Sequence, residues 1–98
     1  MVTYKAAYTF DESDENGWVI GQVLDFPGAN SQGKGLEDAR RMLGSALVDM
    51  AESYILDGKA LPQPDDKLSQ IDADLEEPIY LLVNGASHIR VVPVEVPA

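Results

Sequence analysis

The chain has 98 residues, which is enough for one hydrophobic core and too few for two. Its net charge of −10 disfavours direct binding to nucleic acid, since acidic surfaces repel phosphates, and makes a basic protein the complementary partner. The absence of cysteine excludes disulfides and thiolate metal sites, and no apolar run reaches the about 18 residues of a membrane helix. The first residues do not resemble a signal peptide, so we expect a cytoplasmic protein with no membrane partner.

The first two predicted elements form a β-hairpin. Residues 18–24 are apolar enough for a central strand, and residues 11–17 form a polar tip that ends in Asn-Gly, a pair suited to positive φ. Residues 2–10 alternate in polarity, as expected of a half-buried strand. The residues predicted on its inner face are Val2, Tyr4, Ala6, Tyr8 and Phe10.

A Pro-Gly corner follows the hairpin. Asp25-Phe26-Pro27-Gly28 ends the second strand because proline lacks the ladder donor and glycine permits a sharp turn, and residues 29–32 are predicted as a brief third strand. Trp18 follows the turn and Phe26 lies in the corner, so each either packs in the core or anchors a partner. The candidate partner-binding residues are Trp18, Asp25 and Phe26.

A single helix is predicted from Leu36 to about Asp57. Gly35 is the expected N-cap and Gly58 the expected C′ residue, while Arg40 and Arg41 should lie on the solvent side within reach of two acidic residues in the first turn. Apolar residues recur at three- and four-residue steps along this segment. They are Leu36, Ala39, Leu43, Ala46, Leu47, Met50, Tyr54 and Ile55.

The rest of the chain predicts a connector and two strands. Residues 59–78 are rich in proline and acid, residues 79–83 have the continuous apolar pattern of a strand buried on both faces, and residues 88–96 predict an edge strand interrupted at Pro93. The expected fold is a single α+β domain over residues 1–98 with the order β-β-β-α-β-β and one helix packed on one face of the sheet. Within the C-terminal strands, residues 79–96, the apolar segments Ile79–Val83 and Val91–Val96 favour self-association, with a homodimer as the simplest oligomer.

No catalytic, cofactor or metal site is predicted. A calcium loop with Glu12, Asp14 and Asn16 as ligands would need a glutamate at Val23, so a solvated hairpin tip is the favoured interpretation. A metal-dependent nuclease would need Asp11 and Asp25 to converge with acids of the first helical turn. Strand termination and the helix dipole account for those same residues.

The order of these features resembles the HicB family of antitoxins over residues 2–64. The pattern comprises an aromatic first strand, an acidic tip, a Gly-aromatic-apolar strand, an acid-apolar-Pro-Gly corner, a polar strand ending in Gln-Gly, a helix opening and a Pro-x-Pro exit. In this chain they are Tyr4 to Phe10, Asp11 to Asn16, Gly17-Trp18-Val19-Ile20, Asp25-Phe26-Pro27-Gly28, Ser31-Gln32-Gly33, Leu36-Glu37-Asp38-Ala39 and Leu61-Pro62-Gln63-Pro64.

The resemblance implies a partial ribonuclease H-like fold without nuclease chemistry, and a role in binding and occluding HicA, a small basic toxin that cleaves mRNA. Two features depart from the family pattern. Gly35 replaces a common threonine, and residues 60–98 show no second amphipathic helix that would serve as a DNA-binding segment. The chain therefore looks like a solitary HicB-like domain. A stand-alone oligomeric ligand-binding or regulatory module of the same fold, without a toxin partner, remains the alternative.

Overall fold

The fold is a five-stranded sheet with one helix. The computed structural model describes residues 1–11, 13, 15–85 and 88–92. Its strand order is β3-β2-β1-β4-β5 and all neighbouring pairs are antiparallel, so the predicted α+β class is confirmed. The elements are β1 (Val2–Phe10), β2 (Trp18–Val23), β3 (Asn30–Lys34), α1 (Gly35–Leu56), β4 (Leu75–Val83) and β5 (Ile89–Val92).

The central strand β1 has the predicted alternation. Tyr4, Ala6 and Tyr8 are buried on the face that carries α1, and β1 pairs with β2 on one side and β4 on the other. Ala7 is also buried although it points to the opposite face, which means that both faces of β1 are covered. The third strand begins one residue later and ends two residues later than predicted, at Lys34.

The helix is bounded by local backbone signals. Lys34, and not the predicted Gly35, is the N-cap, and its backbone N–H donates to Asp38 Oδ2 at 3.0 Å. At the other end Gly58 has φ +71° and its N–H donates to the Ile55 carbonyl, the geometry that ends a helix at glycine. The buried helix residues are Ala39, Leu43, Gly44, Leu47 and Ala51, of which the predicted apolar stripe contained three.

The connector after α1 forms a strap, defined here as residues 59–74, across the sheet face opposite the helix. Lys5 Nζ donates to the carbonyl oxygens of Asp66 and Leu68, each at 2.7 Å, and further along β1 the Asp74 N–H donates to the Tyr8 carbonyl. The strap thus follows β1 from its beginning towards its end and covers Ala7. This path returns the chain to the end of the sheet from which β4 starts, so that β4 runs antiparallel to β1.

The C-terminal strands differ from the prediction in length and burial. β4 begins at Leu75, and Pro78 is tolerated because that part of β4 pairs with β1 alone while β5 pairs only with residues 80–83. Because β4 lies inside the sheet, Ile79 and Leu81 are buried and cannot supply the predicted self-association surface. Only β5 presents an edge there. Predicted strand residues 93–96 lie outside the part of the chain that the structure describes.

Within the described ranges, no helix is long and apolar enough to cross a membrane.

Candidate partner-binding surfaces

The three predicted partner-binding residues do not form one surface. Trp18 begins β2, whereas Asp25 and Phe26 follow its other end. Phe26 is 0 % exposed and makes edge-to-face contacts with Tyr4 and Tyr54, with ring centroids 5.3 and 5.2 Å apart. Phe26 therefore packs at the centre of the core, and its assignment as a partner anchor is corrected.

Asp25 has a structural role in this arrangement. Its side chain is 6 % exposed, its Oδ1 accepts the Lys5 N–H and its Oδ2 accepts the Asp65 N–H, both at 2.9 Å. The carboxylate continues the hydrogen bonding of β1 where β2 has ended, and it holds the strap against the same corner. With both oxygens engaged and little surface exposed, Asp25 offers no contact to a partner.

The acids considered for metal chemistry do not converge. Asp11 follows β1 at the hairpin tip, and its Oδ1 accepts a hydrogen bond from the Ser13 hydroxyl at 2.6 Å. Asp25, in contrast, lies at the other end of β2. Among the described residues, no group of three His, Asp or Glu side chains could hold a metal ion. Glu12 and Asp14, the first two ligands of the calcium hypothesis, lie outside the described residues.

Trp18 is the predicted site residue that the structure leaves accessible. It is half-buried, and together with Phe10, Asp11, Gly17, Val19 and Leu36 it lines a hollow of about 300 Å³, called the tip hollow below. Phe10 is 40 % exposed, so the hollow contains two accessible aromatic residues and the acidic residue Asp11. Lys34 Nζ lies 5.9 Å from the centre of the Trp18 ring, within the range of a cation–π contact.

The sheet face opposite the helix also carries exposed apolar surface next to Trp18. Ile20 lies two residues after Trp18, on the face of β2 opposite the helix, and is 51 % exposed. The neighbouring β3 residues Gln32 and Lys34 are exposed and polar. The accessible region therefore combines an apolar centre with a polar border, as in the centre and rim of protein interfaces.

A second concave surface, called the helix groove below, lies between α1 and the edge strand β5. It has a volume of about 500 Å³. Its lining residues are Arg40, Arg41, Gly44, Ser45, Val48, Asp49, Ile89, Arg90 and Val91. Three of the seven basic residues of an acidic chain thus meet at one surface.

Arg40 corrects the expectation that both helix arginines face solvent. Its guanidinium makes a two-pronged contact with Glu77 of β4, at 2.8 and 2.9 Å, and a third contact with Glu37 at 2.7 Å. Hydrogen bonding to Glu77 raises the pKa of Arg40 above its usual value. Arg41 pairs with Asp38 and is more exposed, so the predicted contacts three residues apart are confirmed for both arginines.

The helix groove was not recognised in the sequence because it depends on two features that local patterns do not contain. One is the curl of the sheet that brings Val91 towards Gly44; a methyl group on Gly44 would lie 3.5 Å from it. The other is the pairing of Glu77 with a helix residue far away in the chain. The one signal in the sequence is Glu77 itself, a charged residue at an inward position of a largely apolar strand, which indicates a buried or half-buried cationic partner.

Comparison of the chain with protein families, curated proteins and solved structures finds no match.

Proposed function

We propose that this protein is a non-catalytic, HicB-like antitoxin that binds and occludes a small basic HicA-type toxin that cleaves mRNA. The observation that carries the proposal is the tip hollow, which is lined by the aromatic residues Trp18 and Phe10 together with Asp11. The finer assignment of the sheet and helix as a partial ribonuclease H-like fold is part of the same proposal, and the α+β architecture is compatible with it.

The chemistry of this surface suits a basic partner. Aromatic side chains supply most of the binding energy at many interfaces, and carboxylates around them attract and orient a cationic protein. The net charge of −10 extends that attraction beyond the contact surface. Covering a basic ribonuclease with an acidic protein also removes the charge with which the enzyme attracts RNA.

The test uses the product of a neighbouring reading frame that encodes a small, strongly basic protein. That protein should cleave mRNA, lose this activity when one equivalent of the antitoxin is added, and bind the antitoxin more weakly as salt is raised. Binding is measured by isothermal titration calorimetry, and cleavage by gel analysis of a defined transcript.

Substitutions in the tip hollow test whether this surface binds the toxin and inhibits its mRNA cleavage. Trp18→Ala should weaken toxin binding by about 2 kcal/mol, the usual cost of truncating an aromatic anchor. Ile71→Ala is the matched control, because Ile71 is 97 % exposed on the strap and is not among the residues that line the hollow. Equal losses in the two variants, or inhibition that Trp18→Ala leaves unchanged, would reject the tip hollow as the toxin-binding surface. Failure of the basic protein to bind the unmodified chain would reject the antitoxin function.

A further inference from the structure

The helix groove has the properties of a surface that binds a second copy of itself. One side is the flank of α1 with Gly44, Ser45 and Val48, and the other is β5 with Ile89 and Val91. We propose that two copies of this protein form a symmetric dimer through their helix grooves, with the two α1 helices antiparallel and crossing at Ser45. The proposal concerns a surface separate from the tip hollow and does not depend on the antitoxin function.

The charge pattern along the groove is self-complementary about Ser45. Arg41 and Asp49 both line the groove, and each lies four residues from Ser45, one before it and one after it. In an α-helix four residues span about 6 Å along the axis. A two-fold axis at Ser45 therefore places Arg41 of each copy opposite Asp49 of the other, forming the same ion pair twice.

The side chains at the crossing point allow two helices to approach. Ser45 is small and exposed, and Val48 supplies partly exposed apolar surface about one turn further on, while the buried Gly44 lets β5 of the same chain lie close to the helix. The arginine of the proposed pair is also available. Arg41 is 71 % exposed at its side chain and contacts Asp38 through one guanidinium nitrogen, so other N–H donors can reach a second carboxylate.

The edge strand contributes apolar surface to the same contact. β5 pairs with β4 along one side, and its other side forms the border of the sheet. Ile89 and Val91 are only partly buried, although both pack against the core of their own chain. A second copy in the groove would cover these side chains and shield a strand edge that, among the described residues, has no neighbouring strand.

Charge balance identifies a second copy, in preference to another partner, as the occupant. Two chains of net charge −10 repel each other over most of their surfaces. The groove, however, is lined by Arg40, Arg41 and Arg90 as well as by Asp49, and the first two arginines also pair with the neighbouring acids Glu37, Glu77 and Asp38. Two copies therefore meet here at a surface of mixed charge, where the cations and carboxylates of one copy can pair with those of the other.

Sedimentation velocity over a concentration series tests the interface with two charge-reversal variants. The unmodified protein should be a dimer, whereas Arg41→Glu and Asp49→Arg should each raise the dimer dissociation constant by at least about tenfold, because each places like charges opposite each other twice. An equimolar mixture of the two variants should dimerise again. In the mixed dimer the introduced glutamate faces the introduced arginine, and the native Asp49 of one chain faces the native Arg41 of the other.

Two variants on the strap provide matched controls for the change in net charge. Asp72→Arg and Lys67→Glu make the same charge reversals on exposed residues of the opposite sheet face, and both should dimerise like the unmodified protein. Circular dichroism confirms that every variant is folded. A monomeric unmodified protein, single groove variants that dimerise normally, or a mixture that stays monomeric would each overturn the proposal.

Discussion

The two carboxylate oxygens of Asp25 accept hydrogen bonds from the backbone N–H groups of Lys5 and Asp65, which are far apart in the sequence. One belongs to the first strand and the other to the strap, so a single carboxylate joins segments that are remote in the sequence. Both hydrogen bonds are partly buried, and an N–H group that is shielded from water and loses its acceptor lowers stability.

Asp25→Ala should therefore lower the free energy of unfolding by about 2–4 kcal/mol, because both N–H groups lose their acceptor. Urea denaturation measures the change. Asp72→Ala, an exposed acid on the strap, is the control and should change stability by less than about 0.5 kcal/mol. A loss as small as that of the control would show that water replaces the carboxylate at both N–H groups.

The ionisation of the buried Tyr8 makes the stability of the fold depend on pH. Burial, followed by the nearby negative charge of Glu77, raises the pKa of Tyr8 to about 12 from the model-compound value of 10.0. The unfolded chain releases this proton near pH 10 and the folded chain near pH 12, so the stability due to the neutral hydroxyl is fully present below pH 10 and is lost as pH rises between the two values.

We expect the urea midpoint to fall steeply from pH 10 to pH 12, and less steeply in Tyr8→Phe, which cannot ionise. Tyr4 will contribute part of the remaining slope, since burial raises its pKa as well. Equal slopes in the unmodified protein and in Tyr8→Phe would contradict a role for Tyr8.

At the scale of elements, Gly33 and Gly44 near α1 differ in whether the structure has room for an added methyl group. A methyl group on Gly33 would lie 2.6 Å from the backbone nitrogen of Ala39, so the close approach of β3 to the start of α1 requires glycine. The helix residue Gly44 has ordinary contact distances around a methyl group, the nearest being Val91 at 3.5 Å.

Gly44→Ala should raise the free energy of unfolding by up to about 1 kcal/mol, since alanine favours the helix and the space exists. Gly33→Ala should lower it by at least about 1–3 kcal/mol, the usual consequence of overpacking. Thermal unfolding of the two variants compares them directly, at a concentration where the oligomeric state is fixed. The same sign of change in both would mean that backbone adjustment, and not the methyl contact, controls the result.

The strap is attached to the sheet mainly by polar contacts. Lys5 Nζ donates to the carbonyl oxygens of Asp66 and Leu68, and Gln70 hydrogen-bonds to Gln22 and Thr9. Lys5→Met keeps most of the aliphatic volume and removes both lysine contacts.

Amide hydrogen exchange in Lys5→Met should accelerate over residues 62–74 while the amides of α1 keep their protection, because the variant loosens the strap without opening the core. The buried helix residues provide the internal control. Faster exchange in α1 as well would indicate that the strap and the core open together.

Sequence patterns predicted the elements better than their ends. The β-hairpin, the helix stop at Gly58 and the edge position of the last strand depend on local chemistry, and all three occur. The extension of β4 to Leu75 was not predictable, because Pro78 argues against a strand unless its neighbours are known. The path of the strap was not predictable either, since it depends on hydrogen bonds between residues about 60 positions apart.

The candidate site shows a similar division. Trp18 was identified from its position after a turn, and it is accessible. Phe26 has an equally aromatic character and a similar turn context, yet it is buried, because burial depends on the packing of Tyr4 and Tyr54 around it. The helix groove required the complete sheet order and could not be seen in any single segment.

For the whole molecule, the net charge of −10 is a source of instability as well as of attraction. The three ion pairs among the described residues involve Arg40 and Arg41, whereas the chain has 17 acidic and only 7 basic side chains, so carboxylates are in large excess over the cations that could offset them. Repulsion among such carboxylates favours the expanded chain.

Raising sodium chloride from about 10 mM to about 150 mM should therefore increase the urea midpoint, since the screening length falls from about 30 to about 8 Å. Urea is the appropriate denaturant because it is uncharged. Neutral sucrose at matched osmolality distinguishes screening from a general solute effect. A midpoint that falls with salt would show that the ion pairs of α1 outweigh the repulsion.

The pairing of β1 with β4 also has a consequence for synthesis on the ribosome. Val2 lies opposite Leu81, so β1 leaves the exit tunnel well before β4, one of its two neighbours in the sheet, has been synthesised. During that time β1 can pair with β2 alone, and its other edge remains available to foreign strands. The nascent protein is therefore most exposed to aggregation just before its fourth strand emerges, when a chaperone that covers strand edges would protect it most.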